Sequence, residues 1–207
     1  MRRPAQVARI DYFGKIPARA DFIKASHNPA LVGLLDDWLA EVMNLLTAEP
    51  RWKQHYDATR PLHFAFVGTR SRRAIAGHIV ASGDASQRRY PFLAMSAIDV
   101  DAPEAFLPCS PIVLAPLWCE LGRLAAGVLD ASEPEPCLQA LAAATFTFDA
   151  GAVGHGLAFT QFLDGHNVSG LEALLGHTPV RRTILGLGLL LQPVRRSGAH
   201  RFSRCPR

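Results

Sequence analysis

No run of apolar residues in this chain approaches the roughly 20 needed to cross a bilayer as a helix. The N-terminal MRRPAQVARIDYF carries charge but no apolar stretch of signal-peptide length. The expectation is a cytoplasmic protein, neither inserted in a membrane nor exported by the general secretory route. Cysteine is scarce: Cys109, Cys119, Cys137 and Cys205 form no CxxC, and no histidine stands at a zinc-finger offset from a Cys pair. That pattern predicts reduced, buried thiols. GxxxxGK[ST] and GxGxxG are both missing, and the GLG at 186–188 opens no helix, so no phosphate loop is indicated. Nor is there a basic helix interleaved with aromatics, which argues against nucleic acid as a partner.

What the chain does have is apolar content and unevenly placed charge. Hydrophobic residues make up 49% and charged residues 19% of 207, the balance of a folded globular protein. A chain of this length buries roughly 70% of its unfolded surface without a disulfide or metal. It is read as one domain spanning 1–207. Residues 51–90 hold eight basic and two acidic side chains, 91–180 one basic and ten acidic, and 181–207 seven arginines and no acid. Folding interleaves such blocks, so the plainer account is a mixed surface field, not a single charged face.

Periodicity places the elements. VARIDYF, 7–13, reads as a strand. Asn28-Pro29 opens a helix over about 29–47, with Leu31, Leu34, Leu35, Trp38, Val42, Leu45 and Leu46 as its apolar face. RWKQHYD suggests a further helical turn. PLHFAFVG, AIAGHIVAS and PFLAMSAID read as three strands with short connections, an antiparallel meander. Ser110-Pro111 and Ala115-Pro116 are competing starts for a helix carrying Leu117, Trp118, Leu121, Leu124 and Val128. Residues 133–144 form another helix, and 145–156 look irregular. SGLE at 169–172 is a capping box with Gly176 as a stop, and 184–194 reads as a late strand. Strands first and helices around and after them define an α+β protein, a central, mainly antiparallel sheet flanked by helices.

Catalysis needs a nucleophile, a base within reach and an orienting group. Ser82-Gly83-Asp84 offers a hydroxyl and a carboxylate but is no G-x-S-x-G elbow. His55, His63, His78, His155 and His166 are the available bases, and His63 and His78 sit among strand residues, where a structural histidine is the better account. No metal-ligand spacing stands out around His155 and His166. A polar cluster remains: Lys15, Arg19, Asp21 and Lys24 before the long helix, and Ser82, Asp84, Arg88 and Arg89 between two strands. If the two loops meet, Arg19 or Arg89 can fork onto Asp21 or Asp84. The result is either an ion-pair network that ties loops to the sheet, or a docking surface.

FGKIPARADF, the Trp-bearing helix, RWKQHY, PLHFAF and GHIVASGDASQRRYPF together resemble the bacterial type VI secretion-associated TagF family, also called ImpM. Its members look like GxxGKLPxxGDF, then Trp and Tyr, then PxxF, then GxxxPSxDxxGRxFP. The matches are Gly14, Lys15, Pro17, Arg19, Asp21, Phe22, Trp38, Trp52, Tyr56, Pro61, Phe64, Gly77, Ser82, Asp84, Arg89, Pro91 and Phe92, over about 10–98. Ala20 replaces the GDF glycine, where a positive φ would cost about 1 kcal/mol or more. Ala81-Ser82 replaces Pro-Ser, and Arg88 is taken as replacing the glycine before Arg89.

The resemblance implies a longin-like regulatory fold. It also implies a cytoplasmic, non-enzymatic accessory protein that restrains assembly of the secretion machine after translation, by binding the forkhead-associated scaffold protein Fha. No cofactor or metal is implied. On this reading Lys15, Arg19, Asp21, Ser82, Asp84 and Arg89 form a partner-binding patch. Gly14, Pro17, Phe22, Trp38, Trp52 and Pro91 are structural, with Phe22 and Ile23 pinning the first loop to the core. A structural subunit of the apparatus, or a hydrolase using Ser82 and Asp84, are the alternatives.

Overall fold

Alternation of side chains along its strands builds a six-stranded sheet, and a computed structural model describes it over residues 6–68 and 72–148. The elements run β1 (Gln6–Gly14), β2 (Ile23–Ala25), α1 (Pro29–Thr47), α2 (Trp52–Asp57), β3 (Leu62–Gly68), β4 (Arg73–Val80), β5 (Phe92–Asp99), α3 (Pro103–Val113), α4 (Ala115–Asp130), α5 (Glu135–Ala143) and β6 (Thr145–Phe148). The strand order is β2-β1-β5-β4-β3, with β6 also on β1, and every pairing is antiparallel. β3, β4 and β5 are the expected meander. β1 is the hub: Gln6–Arg9 pair with β6, Tyr12–Gly14 with β2, and Ile10–Gly14 with β5. The described residues lie within one compact unit, Met1–Phe159.

Each face of the sheet is covered by a different helix set. Ile10, Tyr12, Ala76, Phe92, Ala94 and Ile98 alternate onto one face and pack against Leu114, at the junction of α3 and α4, Leu117, Leu121 and Val128 of α4, and Leu141 of α5. Phe13, Leu93 and Met95 point to the other face, where Val32, Leu35 and Leu39 of α1 meet them. β5 is apolar on both sides because it is covered on both; Phe92 through Met95 are fully buried.

α1 starts where its sequence says it should. Asn28 Oδ1 accepts from the Leu31 amide at 3.2 Å, and Pro29 opens the first turn. Buried Asp11 of β1 anchors that start by accepting from the His27 amide at 2.7 Å. The inward face, however, is Val32, Leu35 and Leu39. Leu34, Trp38, Val42 and Leu45, expected in the core, are exposed. The apolar periodicity is wider than one packing seam, and burial selects only one flank.

Three further expectations change. Pro103–Val113 is a helix of its own: Pro103 starts it, and the Leu107 carbonyl, which Pro111 cannot reach with an amide donor, accepts from Ser110 Oγ at 2.8 Å instead. Ala115-Pro116 is then the true start of α4. Residues 145–148 form β6 instead of irregular chain: Phe146 packs on the core while Thr145 and Thr147 face outward. Cys119 is exposed on α4 and Cys137 half-buried, so thiol burial does not hold for Cys119. The capping box at 169–172, Gly176, the strand at 184–194, and His155 and His166 lie outside the described residues, as does the 149–207 part of the single-domain expectation.

Two motif glycines have different reasons. Gly14 adopts φ +134°, and a Cβ there would collide with the Pro91 carbonyl oxygen and stand 2.8 Å from Phe92 Cα. Gly77 lies opposite Phe64, whose ring covers it; a Cβ would stand 2.6 Å from Phe64 Cε1. The Phe64 ring can swing away, leaving the Ala94 carbonyl oxygen at 3.1 Å as the one fixed close contact of a Cβ at Gly77, whereas the backbone against Gly14 cannot move aside. Gly14→Ala is therefore expected to cost ~3 kcal/mol or more in urea unfolding, since conformational strain adds to overlap with fixed atoms. Gly77→Ala is expected to cost only about 1–2 kcal/mol. Equal losses would mean that the Gly14 backbone is free to relax.

Candidate functional site

At one end of the sheet, β1 runs out into the loop 15–22 and β4 into the loop 81–91. Both loops are tight for local reasons. Pro17 sits at the second position of a turn closed by the Arg19 amide on the Ile16 carbonyl at 3.1 Å. Ile16 is fully buried and fixes the start of that loop. In the second loop, Asp84 Oδ1 accepts from the Ser86 and Arg88 amides, each at 2.9 Å, and Gly83 bridges Arg89.

The two loops are joined through Asp84. Lys15 Nζ donates to Asp84 Oδ2 at 2.8 Å and Arg88 Nε to the same oxygen at 2.6 Å. The Asp84 side chain has no exposed surface and that of Lys15 only 10%. Backbone bonds add to the seam: Ser82 Oγ donates to the Lys15 carbonyl at 2.8 Å, the Ala85 amide to the Arg19 carbonyl at 2.8 Å, and Arg88 to the Ala20 carbonyl at 2.6 Å. Burial alone would raise the Asp84 carboxyl. The hydrogen bonds from Lys15 and Arg88, with the Lys15 charge, outweigh it and hold the group far below the usual carboxylate range.

Other elements grip the seam from outside. Tyr56 of α2 donates its hydroxyl to the Ser82 carbonyl at 2.8 Å and accepts from the Ser82 amide at 2.9 Å. Burial pushes that phenol up to about 12. Arg89 forks onto Asp57 with two bonds of 2.7 Å and lies 6.0 Å from the Trp52 ring. Arg19 pairs with Glu135 at the start of α5. Tyr90 donates to Asp36 Oδ1 of α1 at 2.5 Å; burial first, then this bond, raise its pKa.

The expected residues thus divide. Buried Lys15 and Asp84 and half-buried Ser82 form the inner part of the rim, while Arg19, Asp21 and Arg88 are exposed around it. The arginine on Asp84 is Arg88 and not Arg19 or Arg89, and the exposed Asp21 receives neither of those two. Phe22 is 51% exposed, so it does not pin the loop to the core; its ring meets Tyr90 edge-on at 4.7 Å and lies under Lys15 Nζ at 5.2 Å. Trp38 is likewise 48% exposed on α1, so it is not a core anchor.

Sequence reasoning missed Asp57, Glu135 and Asp36, partners supplied by distant elements with no local signal. Arg88 did have a signal. Counted from Ser82 and Asp84, the spacing DxxGR places the glycine at Gln87 and the arginine at Arg88. The structure agrees, since Gln87 has φ +62° and Arg88 reaches Asp84. Tyr90 then stands at the aromatic position before Pro91. Among the described non-glycine residues only Arg72 and Gln87 have positive φ, so Ala20 carries no such strain.

Ser82 commits its hydroxyl proton to a backbone carbonyl and Asp84 is filled by four donors, which are structural uses of both groups. His63 and His78 pair across β3 and β4 at 4.9 Å between rings, with His63 stacked on Trp118 of α4 at 5.4 Å. Burial lowers the His78 imidazole to about 4, and its neighbour His63 adds to the effect. Among the described residues no group of three or more His, Cys, Asp or Glu is placed to hold a metal ion, and no helix is long and apolar enough to cross a membrane.

Residues 11–144 match the family model described as the TagF N-terminal domain, type VI secretion system-associated. That match spans more than half of the sequence, and the chain belongs to the TagF family. Its fold is similar to the crystal structure of PA0076 from Pseudomonas aeruginosa PAO1, with a TM-score of 0.56 and 22% identity, covering 65% of this chain and 61% of that one. The chain thus matches less than two thirds of that protein's length. No curated protein sequence matches it.

Two outcomes test the rim. Because the Asp84 pKa is depressed on folding, its contribution is full above the unfolded carboxylate value of ~3.9 and is lost as pH falls below it. Stability measured by urea unfolding is expected to decline with pH below about 4 in the native protein, and less steeply in Asp84→Asn. Parallel slopes would remove Asp84 as the coupled group. Gln87→Gly is expected to stabilise by about 0.5–1 kcal/mol, the relief of left-handed strain less the greater flexibility of the unfolded chain. A loss of stability would mean that the Gln87 side chain makes a needed contact.

Proposed function

We propose that this TagF-family chain is a non-enzymatic accessory protein of the type VI secretion system, acting in the cytoplasm as a post-translational brake on assembly. It does so by binding the forkhead-associated scaffold Fha through the rim. The observation that carries the reading is the joining of two motif loops through the buried Lys15–Asp84 pair. That pair presents Arg19, Asp21 and Arg88 around one fixed edge. In this assignment Lys15, Ser82 and Asp84 position the loops, and Arg19, Asp21, Arg88 and Arg89 meet the partner. Charged groups held on tight loops favour specificity and fast encounter over raw affinity. Non-enzymatic action is supported by the structural engagement of Ser82 and Asp84.

The test is co-purification of Fha with the wild type and with Arg19→Ala/Arg89→Ala. Arg19 and its Glu135 partner are about half exposed, and Asp57 opposite Arg89 is similarly open. An exposed pair such as Arg19–Glu135 contributes about 0–1 kcal/mol, and Arg89, 25% exposed and forked onto Asp57, lies outside the buried core, so the double variant is expected to fold. Loss of Fha with retained circular dichroism supports the rim. Undiminished capture removes the rim from the interface, and recovery of the assembled apparatus in place of Fha marks a structural subunit.

A further inference from the structure

α1 carries a second surface that uses none of the rim residues. Leu34, Trp38, Val42 and Leu45 recur at intervals of four, four and three along its outer flank, so they line one stripe. They are 66%, 48%, 38% and 69% exposed. No described element covers them. An apolar stripe of four large side chains on one helix is more than the scattered exposure any surface shows.

The charges beside the stripe say what fits it. α1 bears Asp36, Asp37 and Glu41 and no lysine, arginine or histidine along its whole length. Asp36 is taken up by Tyr90, which leaves exposed Asp37 and Glu41 to border the stripe. A helix with an apolar stripe and an acidic border complements a helix with an apolar stripe and a basic border. The same acids oppose the two other occupants of an apolar helix face. A second copy docking α1 on α1 brings like charges together, and an anionic membrane repels the border.

We infer that the outer flank of α1 is a docking site for a partner protein segment that is helical, amphipathic and flanked by lysine or arginine. Leu34, Trp38, Val42 and Leu45 seat its apolar residues, and Asp37 and Glu41 select its charge.

The test uses the full chain and two synthetic 18-residue helical peptides. Both carry leucine at i, i+3, i+4 and i+7, one with lysine and one with glutamate on the flanks, read by fluorescence anisotropy. The lysine peptide is expected to bind at least tenfold tighter than the glutamate peptide, and to weaken as salt rises. Leu34→Ser/Trp38→Ser is expected to reduce that binding at least tenfold. Asp37→Lys/Glu41→Lys is expected to reverse the preference between peptides. The charge-reversal variant changes only exposed positions, and so decides the matter even if the serine variant does not fold. Equal binding of both peptides, or no binding, overturns the inference. So does a concentration-dependent dimer in sedimentation that the charge reversal strengthens, or recruitment of the native chain to vesicles containing phosphatidylserine.

Discussion

A lysine and an aspartate taken out of water together are tolerated only when every donor and acceptor is filled, since burial penalises each charge separately. Asp84 meets that condition with the Lys15 ammonium, the Arg88 guanidinium and two backbone amides. The chain termini of this seam are equally committed: Gly14 has no room for a side chain against Pro91, and Ile16 is fully buried. Two loops with no regular hydrogen-bonded ladder between them thereby become one rigid edge. The outer contacts of Tyr56, Arg89 and Arg19 are additions to an edge already set by Lys15 and Asp84.

Much of the fold was readable from local signals. Leu62–Gly68 is a strand as its alternation suggests, although Leu62 and Phe66 end up exposed, and α1 starts at its Asn28 cap. Proline misled in the second half: Pro111 reads as a start, yet it is tolerated inside α3. β6 was hidden because four residues followed by DAGAVGHG give too little alternation to outweigh the glycines. On α1, apolar spacing shows which residues share a flank and not which flank the sheet will cover. The inner rim was legible through the spacing of two motifs. Its outer partners, Asp57 and Glu135, come from elements whose approach only the tertiary structure defines.

The family assignment and the geometry bear on different questions. Residues 11–144 place the chain with secretion-associated proteins. The structure separates residues that shape the rim from those that face outward, a distinction no motif makes. Lys15 and Asp84, the most motif-like charges, are the least available to a partner, whereas Arg19 and Asp21 are open. The charged positions of a motif can therefore hold a shape as well as make a contact.

Among the described strands β1 is made before its partners β5 and β6, which come from Phe92–Asp99 and Thr145–Phe148. At a synthesis rate of roughly 5–20 residues per second, the nascent chain holds β1 without those neighbours for on the order of ten seconds. During that interval Ile10, Tyr12 and Phe13 are open to any passing strand edge or chaperone. The same pairing that later makes β1 the hub delays closure of the sheet until the ribosome has passed residue 148.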